Sequence, residues 1–526
     1  MNLHSPTIHS PITFFTTPYF FLRGIITIFA ENSSFIAMRH IIFSLILILA
    51  TAVVRADNPK REFRGAWIHT VGQGQYAKQS TKENQAYLIS LLDKLQAAGV
   101  NAVVFQVRPQ ADAFYKSEIE PWSRFLSGTQ GVAPKPEWDP LKFMVDQCHA
   151  RGMELHAWLN PYRVTSNNKE VLAKNHLYHK HPERFLRYGK QLYFDPGLPE
   201  NRAFICSVVS DIINRYDIDA VHMDDYFYPY PIKGEEFPDS KSFKKYGNGK
   251  SLDDWRRENV NLLIRDLHNT IAATKPWVRF GISPFGVWRN KKEDPNGSDT
   301  NALTNYGDLY ADVTLWTRNG WVDYMMPQLY WELEHARAST AVLAHWWNDN
   351  ANGRHMYFGQ SVNNIMDHPD LAPSTETNQL RHKIELSRSL DNVQGNCWWP
   401  GYSITRNYKG VADLLANDLQ STPAIVPAYT WIDDIAPDEV LDLTLKGRTL
   451  SWKRAKATDP LQQQRAFVIY HFPKGKVKLD RADAIVAITY DTSFILPDKV
   501  KGGTVVVTAL DPVNNESPKG ISLKLK

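Results

Sequence analysis

Residues 220–231 read AVHMDDYFYPYP. The stretch opens as a short apolar run, sets two aspartates side by side at its end, and continues into aromatic rings and prolines. Neighbouring carboxylates repel each other once water is removed, so folding alone gives little reason to place them at the tip of an apolar strand. Before the stretch lies PENRAFICSVVSDIINRYDI and after it DDWRRENVNLLIRDLHNTIAATKP, both with apolar residues at helical spacing. A strand between two helices, with polar chemistry at its C-terminal end, is one unit of an α/β fold.

The unit recurs on both sides. FRGAWIHT, AVVFQVRP, LHAWLNPY, RFGISPFG, VDYMMPQLYW, MYFGQS and NCWWPGYS join AVHMDD as strand-like runs between residues 62 and 403. Helical patterns separate most of them. NQAYLISLLDKLQAAGV stops at Gly99, and DPLKFMVDQCHARGM starts with Asp-Pro and stops at Gly152. Eight strands alternating with helices predict a (β/α)8 TIM barrel. An open doubly wound sheet competes, but no glycine-rich phosphate loop follows the first strand.

Near residue 423 the character changes. PAIVPAYTWIDDIAPDE reads as a linker, and VLDLTLKG, TLSWKR, AFVIYHF, AIVAITYD, SFILP, GTVVVTALD and GISLKLK follow it. Seven short strands with turn signals predict a small all-β sandwich. Their order resembles a fibronectin type III domain, with Trp452 as its core tryptophan. The expected plan is a barrel over 57–424 and a fibronectin type III-like sandwich over 425–526, the latter a spacer or an attachment module to the cell envelope.

Composition narrows the partners. The chain has 526 residues, is 43% hydrophobic and 22% charged, and carries a formal net charge of +4. With no Lys/Arg-rich run, a nucleic-acid partner is not expected. From Met38 a cationic start, an apolar run over residues 41–54 and small residues before Asp57 form a signal-peptide pattern over 38–56. Residues 1–37 then read as a mis-assigned upstream extension, and the body of the protein as exported, periplasmic or extracellular. Cys148, Cys206 and Cys397 are an odd number, and the first two sit in helical contexts that suit buried thiols.

Alternation sorts the strand residues by face, because successive side chains point opposite ways. Val221 and Met223 share one phase, which suits the helix side. His222 and Asp224 share the other and are expected inside the barrel. Asp225 is expected to point away or to shape the following loop, unless the strand turns there. Leu155, Ala157 and Leu159 oppose His156, Trp158, Asn160 and Tyr162. Gln106 and Arg108 oppose Phe105 and Val107. Gln328, Tyr330 and Glu332 share a phase, as do Trp67 and His69. Polar and aromatic groups thus gather toward the C-terminal strand ends, where barrel enzymes build their sites. His156 lies deeper in its strand and reads rather as a core hydrogen-bonding residue.

Flat rings stack on sugar faces and polar groups bind hydroxyls, so carboxylates among aromatics point to glycoside hydrolysis. The catalytic candidates are Asp224, Asp225 and Glu332, with Glu332 the best-placed partner by alternation. The substrate-contact candidates are Trp67, His69, Arg108, Asp112, His156, Trp158, Asn160, Tyr162, Arg163, His222, Tyr226, Gln328, Tyr330 and Trp398. Trp331 and Trp399 fall near a phase change. No metal or cofactor is expected.

The motifs FRGAWIHT, NAVVFQVRPQADAFY, DPLKFMVDQCHARGMELHAWLNPYR, FDPGLPE, DAVHMDDYFYPYP, FGISPFGVWRN, GSDT and DYMMPQLYW resemble the glycosyl hydrolase-like 10 family of exported bacterial proteins, and they span most of residues 62–410. The resemblance implies a TIM-barrel glycoside hydrolase acting on a polysaccharide, with peptidoglycan glycan strands the expected substrate. It supports Asp224 and Asp225, then Asn160, Tyr162 and Arg163, then Gln328 and Tyr330. Glu332 lies just past the last motif, so the resemblance does not carry it. Two other readings compete. A metal-dependent deacetylase or amidase is suggested by His69, His156 and His222 in phase with Asp224, though no His-x-His or His-Glu-x-x-His pair is present. A non-catalytic carbohydrate-binding barrel is suggested by the absence of an obvious second carboxylate.

Overall fold

The computed structural model describes residues 58–525. The readings of 1–37 as an upstream extension and of 38–56 as a signal peptide lie outside the described residues.

Eight parallel strands close into a barrel in chain order. They are β1 (Phe63–Ile68), β2 (Ala102–Arg108), β3 (Glu154–Leu159), β4 (Ala220–Met223), β5 (Arg279–Ile282), β6 (Tyr324–Met325), β7 (His355–Ser361) and β8 (Val393–Trp399). Each pairs with its sequence neighbour, and β8 returns to β1 through Phe63–Gly395 and Ala66–Trp398. The main outer helices are α1 (Thr81–Ala97), α2 (Pro140–His149), α3 (Pro199–Arg215), α4 (Leu252–Thr274), α5 (Val313–Arg318), α6 (Thr340–Asp349) and α7 (Leu380–Arg388). Their starts are written in the sequence. Ser80 and Glu83 form a reciprocal capping box on α1. Asp139 accepts two backbone N–H groups ahead of Pro140 on α2.

The two strand phases form two cores. Ala66, Val103, Phe105, Leu155, Ala157, Val221 and Met223 pack outward against the helices. Phe63, Trp67, Ala102, Val104, Trp158, Tyr324, Tyr357 and Cys397 fill the barrel interior. Gly281 on β5 is an interior position that only glycine fits, since an added Cβ would lie 1.9 Å from Tyr324 Cζ. Cys148 and Cys397 are buried, Cys206 half-buried, and all three are free thiols.

The seven expected C-terminal strands also form: β9 (Leu441–Lys446), β10 (Thr449–Lys453), β11 (Ala466–Phe472), β12 (Ile485–Thr489), β13 (Ser493–Ile495), β14 (Thr504–Leu510) and β15 (Ile521–Lys524). They make a three-stranded sheet, β9-β10-β13, and a four-stranded sheet, β12-β11-β14-β15. Leu450, Trp452, Phe467, Ile469, Val505 and Val507 pack between them, with Trp452 edge-on to Phe467 at 5.2 Å.

The segment read as a linker is instead the floor of the barrel. Ile425 bridges to Arg61. Val426, Tyr429 and Val513 join the interior core, and the Tyr429 and Tyr357 hydroxyls lie 2.7 Å apart. Apolar residues in an extended run bury wherever a matching surface exists, and the open N-terminal end of the barrel supplies one. Polar contacts complete the seam. Asn514 Nδ2 donates to Glu154 Oε1 at 2.9 Å, Arg279 Nη1 donates to the Pro512 carbonyl at 2.9 Å, and Arg465 pairs with Asp219 at 2.8 Å.

Candidate active site

At the opposite end, β4 stops at Met223, and the chain turns with both aspartates at its tip. Asp224 Oδ1 accepts from Gln328 Nε2 and from the Asp225 backbone N–H, each at 3.0 Å. The Tyr226 hydroxyl also hydrogen-bonds to Asp224. Asp225 Oδ2 accepts from the Tyr230 hydroxyl. The two carboxyls stand close enough for each to act on the other's charge. They are 8% and 3% exposed, and they line one cavity of about 300 Å³ with Trp67, Gln106, Trp158, Tyr226, Tyr330 and Trp399. Val71, Tyr230, Ser283 and Gln328 complete its lining.

Electrostatics make the pair unequal. Burial raises the Asp224 carboxyl above its usual range, while its hydrogen-bond donors and Arg163 pull the other way. Burial and then the Asp224 charge hold Asp225 well above that range, opposed by the Tyr230 donor. Two neighbouring carboxyls in a dry site cannot both ionise easily, which favours one proton staying on the pair. Asp225 is the member that retains it.

Beneath the cavity a hydrogen-bonded axis descends through the barrel. Trp67 Nε1 is a donor only, so at 3.3 Å it donates to His222 Nε2. Burial and the neighbouring His156 keep the His222 imidazole well below its ordinary pKa and therefore neutral. Its Nδ1–H then donates to the Tyr324 hydroxyl at 3.1 Å, and that hydroxyl also hydrogen-bonds with His156 Nδ1 at 2.9 Å. His156 Nε2–H donates to Glu154 Oε2 at 2.9 Å, and Glu154 pairs with Arg279. Each ring nitrogen of both histidines thus has a protein partner. Among the described residues no three His, Cys, Asp or Glu side chains come together to hold a metal ion.

The structure brings Asp224, Asp225, Trp67, Trp158, Tyr226, Gln328 and Tyr330 to the cavity. Arg163 stands at its edge, 5.0 Å from the Tyr226 ring, and His222 lies below. His69 packs 4.8 Å from Trp399, with burial lowering its pKa to about 4. Asn160 caps the turn after β3, accepting the Arg163 backbone N–H at 2.9 Å.

Several expectations are corrected. For Asp225 the alternative of a turning strand holds: β4 ends before it, and its carboxyl joins the cavity while holding Tyr230 of the following loop. Glu332 is not opposite Asp224. It lies past the turn after β6, pairs with His368 at 3.0 Å and does not line the cavity. Arg108 is not at the mouth. The β2–β3 register shifts between Gln106 and Arg108, which turns Arg108 sideways onto Glu120 at 2.6 Å and the Pro161 carbonyl at 3.1 Å. Asp112 is fully buried, hydrogen-bonded to Gln130 at 3.0 Å and pushed up to about 6 by burial. His156 belongs to the axis and not to the cavity. Tyr162, beyond the end of β3, packs in the outer core. Trp398 is fully buried on the helix side, and its neighbour Trp399 faces the cavity.

Trp399, Gln106, Ser283, Tyr230 and Val71 are the lining residues absent from the candidates. The first three were within reach of alternation, since Trp399 is in phase with the interior Cys397 and Ser283 with Gly281. Tyr230 sits in the loop and had no such signal.

A closed parallel barrel whose carboxylates and aromatic rings meet at the C-terminal mouth defines the class of TIM-barrel glycoside hydrolases. Comparison with known proteins agrees. The profile of the glycosyl hydrolase-like 10 family matches residues 62–372. The chain is 40% identical over 497 residues to glycosyl hydrolase YngK of Bacillus subtilis, covering 90% of this chain and 96% of that one. It is 35% identical over 359 residues to glycosyl hydrolase DigH of Escherichia coli K12, covering 63% of this chain and 81% of that one. The PgaB (BpsB) glycoside hydrolase domain from Bordetella bronchiseptica aligns at 12% identity and a TM-score of 0.43, covering 68% of this chain and 99% of that one, a likeness silent about substrate. The chain belongs to the glycosyl hydrolase-like 10 family and is a glycoside hydrolase.

Proposed function

We propose that the enzyme is exported and cleaves the glycan strands of peptidoglycan by carboxyl acid–base chemistry at the barrel mouth. One observation supports the chemistry above all: a buried aspartate pair, its carboxyls raised by burial, set among aromatic rings in a cavity of about 300 Å³. Family membership supports a polysaccharide substrate, and the signal-peptide pattern over 38–56 supports export to the periplasm or beyond. The C-terminal sheets, in the order expected of a fibronectin type III-like domain, suit a role in envelope association.

Purified sacculi, intact or stripped of stem peptides, are the test. Release of new reducing ends is expected from wild-type enzyme and only at a residual rate from Asp224→Asn. If neither form of sacculus yields reducing ends, the substrate reading fails. N-terminal sequencing of the mature protein should find a start near Asp57, and recovery of the uncleaved chain in the cytoplasm would count against export.

A further inference from the structure

Resting on the glycosidase reading, the geometry points to a more specific one: the sugar cleaved carries a 2-acetamido group, whose carbonyl oxygen is the nucleophile, oriented by Asp224 while Asp225 acts as the acid. Three observations converge. First, the two carboxyls belong to consecutive residues at one strand tip and open into the same cavity, with the Asp225 backbone N–H closing onto Asp224 Oδ1 at 3.0 Å, so both stand on one side of a bound sugar. An acid and its partner carboxylate instead flank the scissile bond, about 5–5.5 Å apart for an enzyme nucleophile and about 6.5–9.5 Å for an activated water. Secondly, no other carboxylate lines the cavity among the described residues, and Glu332 is held elsewhere by His368. The nucleophile must then come from outside the protein's carboxylates. Thirdly, two buried N–H donors of the cavity, Gln106 Nε2 and Trp158 Nε1, have no protein partner. Gln106 cannot turn away, because its Oε1 already accepts the Thr70 and Val71 backbone N–H groups at 2.9 Å. Such donors suit an acceptor oxygen on the ligand.

The division of labour follows from the donors. Asp224 accepts from Gln328 and the Asp225 backbone, which favours its carboxylate form. Asp225 accepts from Tyr230 and keeps the proton. In the first step Asp225 gives that proton to the bridging oxygen as the C1–O bond breaks. The acetamido oxygen bonds to C1 and closes a five-membered oxazolinium ring, whose N–H and positive charge Asp224 holds. In the second step water bonds to C1, passes a proton back to Asp225, and the ring opens to the acetamido sugar. One water is consumed, one glycosidic bond is lost, and two displacements at C1 retain its configuration.

The experiment uses stripped glycan strands in four forms: native, chemically N-deacetylated, re-N-acetylated and N-trifluoroacetylated. Native strands must be cut first; if they are not, the glycosidase-on-peptidoglycan reading fails and this inference with it. Given cleavage, deacetylation is expected to abolish it, re-acetylation to restore it, and trifluoroacetylation to leave it strongly slowed, since fluorine drains electron density from the attacking oxygen. The nascent reducing end, followed by NMR, is expected to keep its anomeric configuration. Asp225→Asn should lower the rate on native strands by on the order of 10²–10⁴-fold. Trifluoroacetylated strands cut as fast as acetylated ones, or an inverted product, would overturn the inference and leave the glycosidase reading standing.

Discussion

Asp225 is the residue through which pH acts. Its carboxyl is held above the ordinary range by burial and by Asp224, among Tyr226, Tyr230, Arg163 and Tyr330. In the proposed mechanism the active form is the protonated one, so activity should fall as pH climbs through that raised value. Asp224→Asn removes the neighbouring charge, and the alkaline limb of the residual pH–rate profile should move to lower pH. An alkaline limb that stays put would show that the pair is not coupled. Stability carries the same sign. The folded state holds a proton that the unfolded state releases near the usual aspartate pKa, so the native state loses stability as pH rises from there through the raised value. Asp225→Asn should therefore gain on wild type in urea midpoint as pH increases across that window. Of this pair, the sequence made Asp224 legible, because His222 and Asp224 follow a regular strand. Asp225 was reached only through the alternative that the strand turns there, because phase is defined only while the ladder lasts and the strand ends at Met223.

Among the elements, β2 shows what a single irregularity does. The shift after Gln106 leaves Gln106 inside the cavity and sends Arg108 to a buried pair with Glu120. Removing one partner strands the other charge, so Arg108→Ala should cost about 3–5 kcal/mol in chemical denaturation. Replacing both residues with apolar side chains of similar volume should recover most of it, and an unrepaired double variant would refute the pairing as the cause. On β5, Gly281→Ala places a methyl against the Tyr324 ring and should cost roughly 1–3 kcal/mol while disturbing the histidine axis. All eight barrel strands and all seven sandwich strands were legible from apolar runs and turn signals. The misplaced residues, Arg108, Tyr162, Glu332 and Trp398, sit at a bulge, past a strand end, or one step out of phase. Pairing register decides those positions, and register is a property of two strands together.

Over the whole molecule, the sandwich is part of the barrel's closure. Tyr429 and Val513 sit against Phe63 and Tyr357, while Asn514 and Arg465 satisfy Glu154 and Asp219. A chain ending at residue 421 would bare the interior core and leave those carboxylates short of partners. It should be recovered insoluble, or soluble without near-UV circular dichroism; a soluble, sharply melting fragment would contradict this role of the floor. Arg465→Ala in the full chain should cost on the order of 3 kcal/mol, measured by urea denaturation, because Asp219 is 1% exposed. The seam also sets a timetable. A chain is made from its N-terminus and its early parts tend to fold first. Here Phe63 in the first strand and Glu154 in the third wait for Tyr429 and Asn514, Glu154 and Asn514 lying 360 residues apart in the chain. The barrel can be sealed only after the sandwich has been made, so its first strands are expected to stay loose while everything between is synthesised.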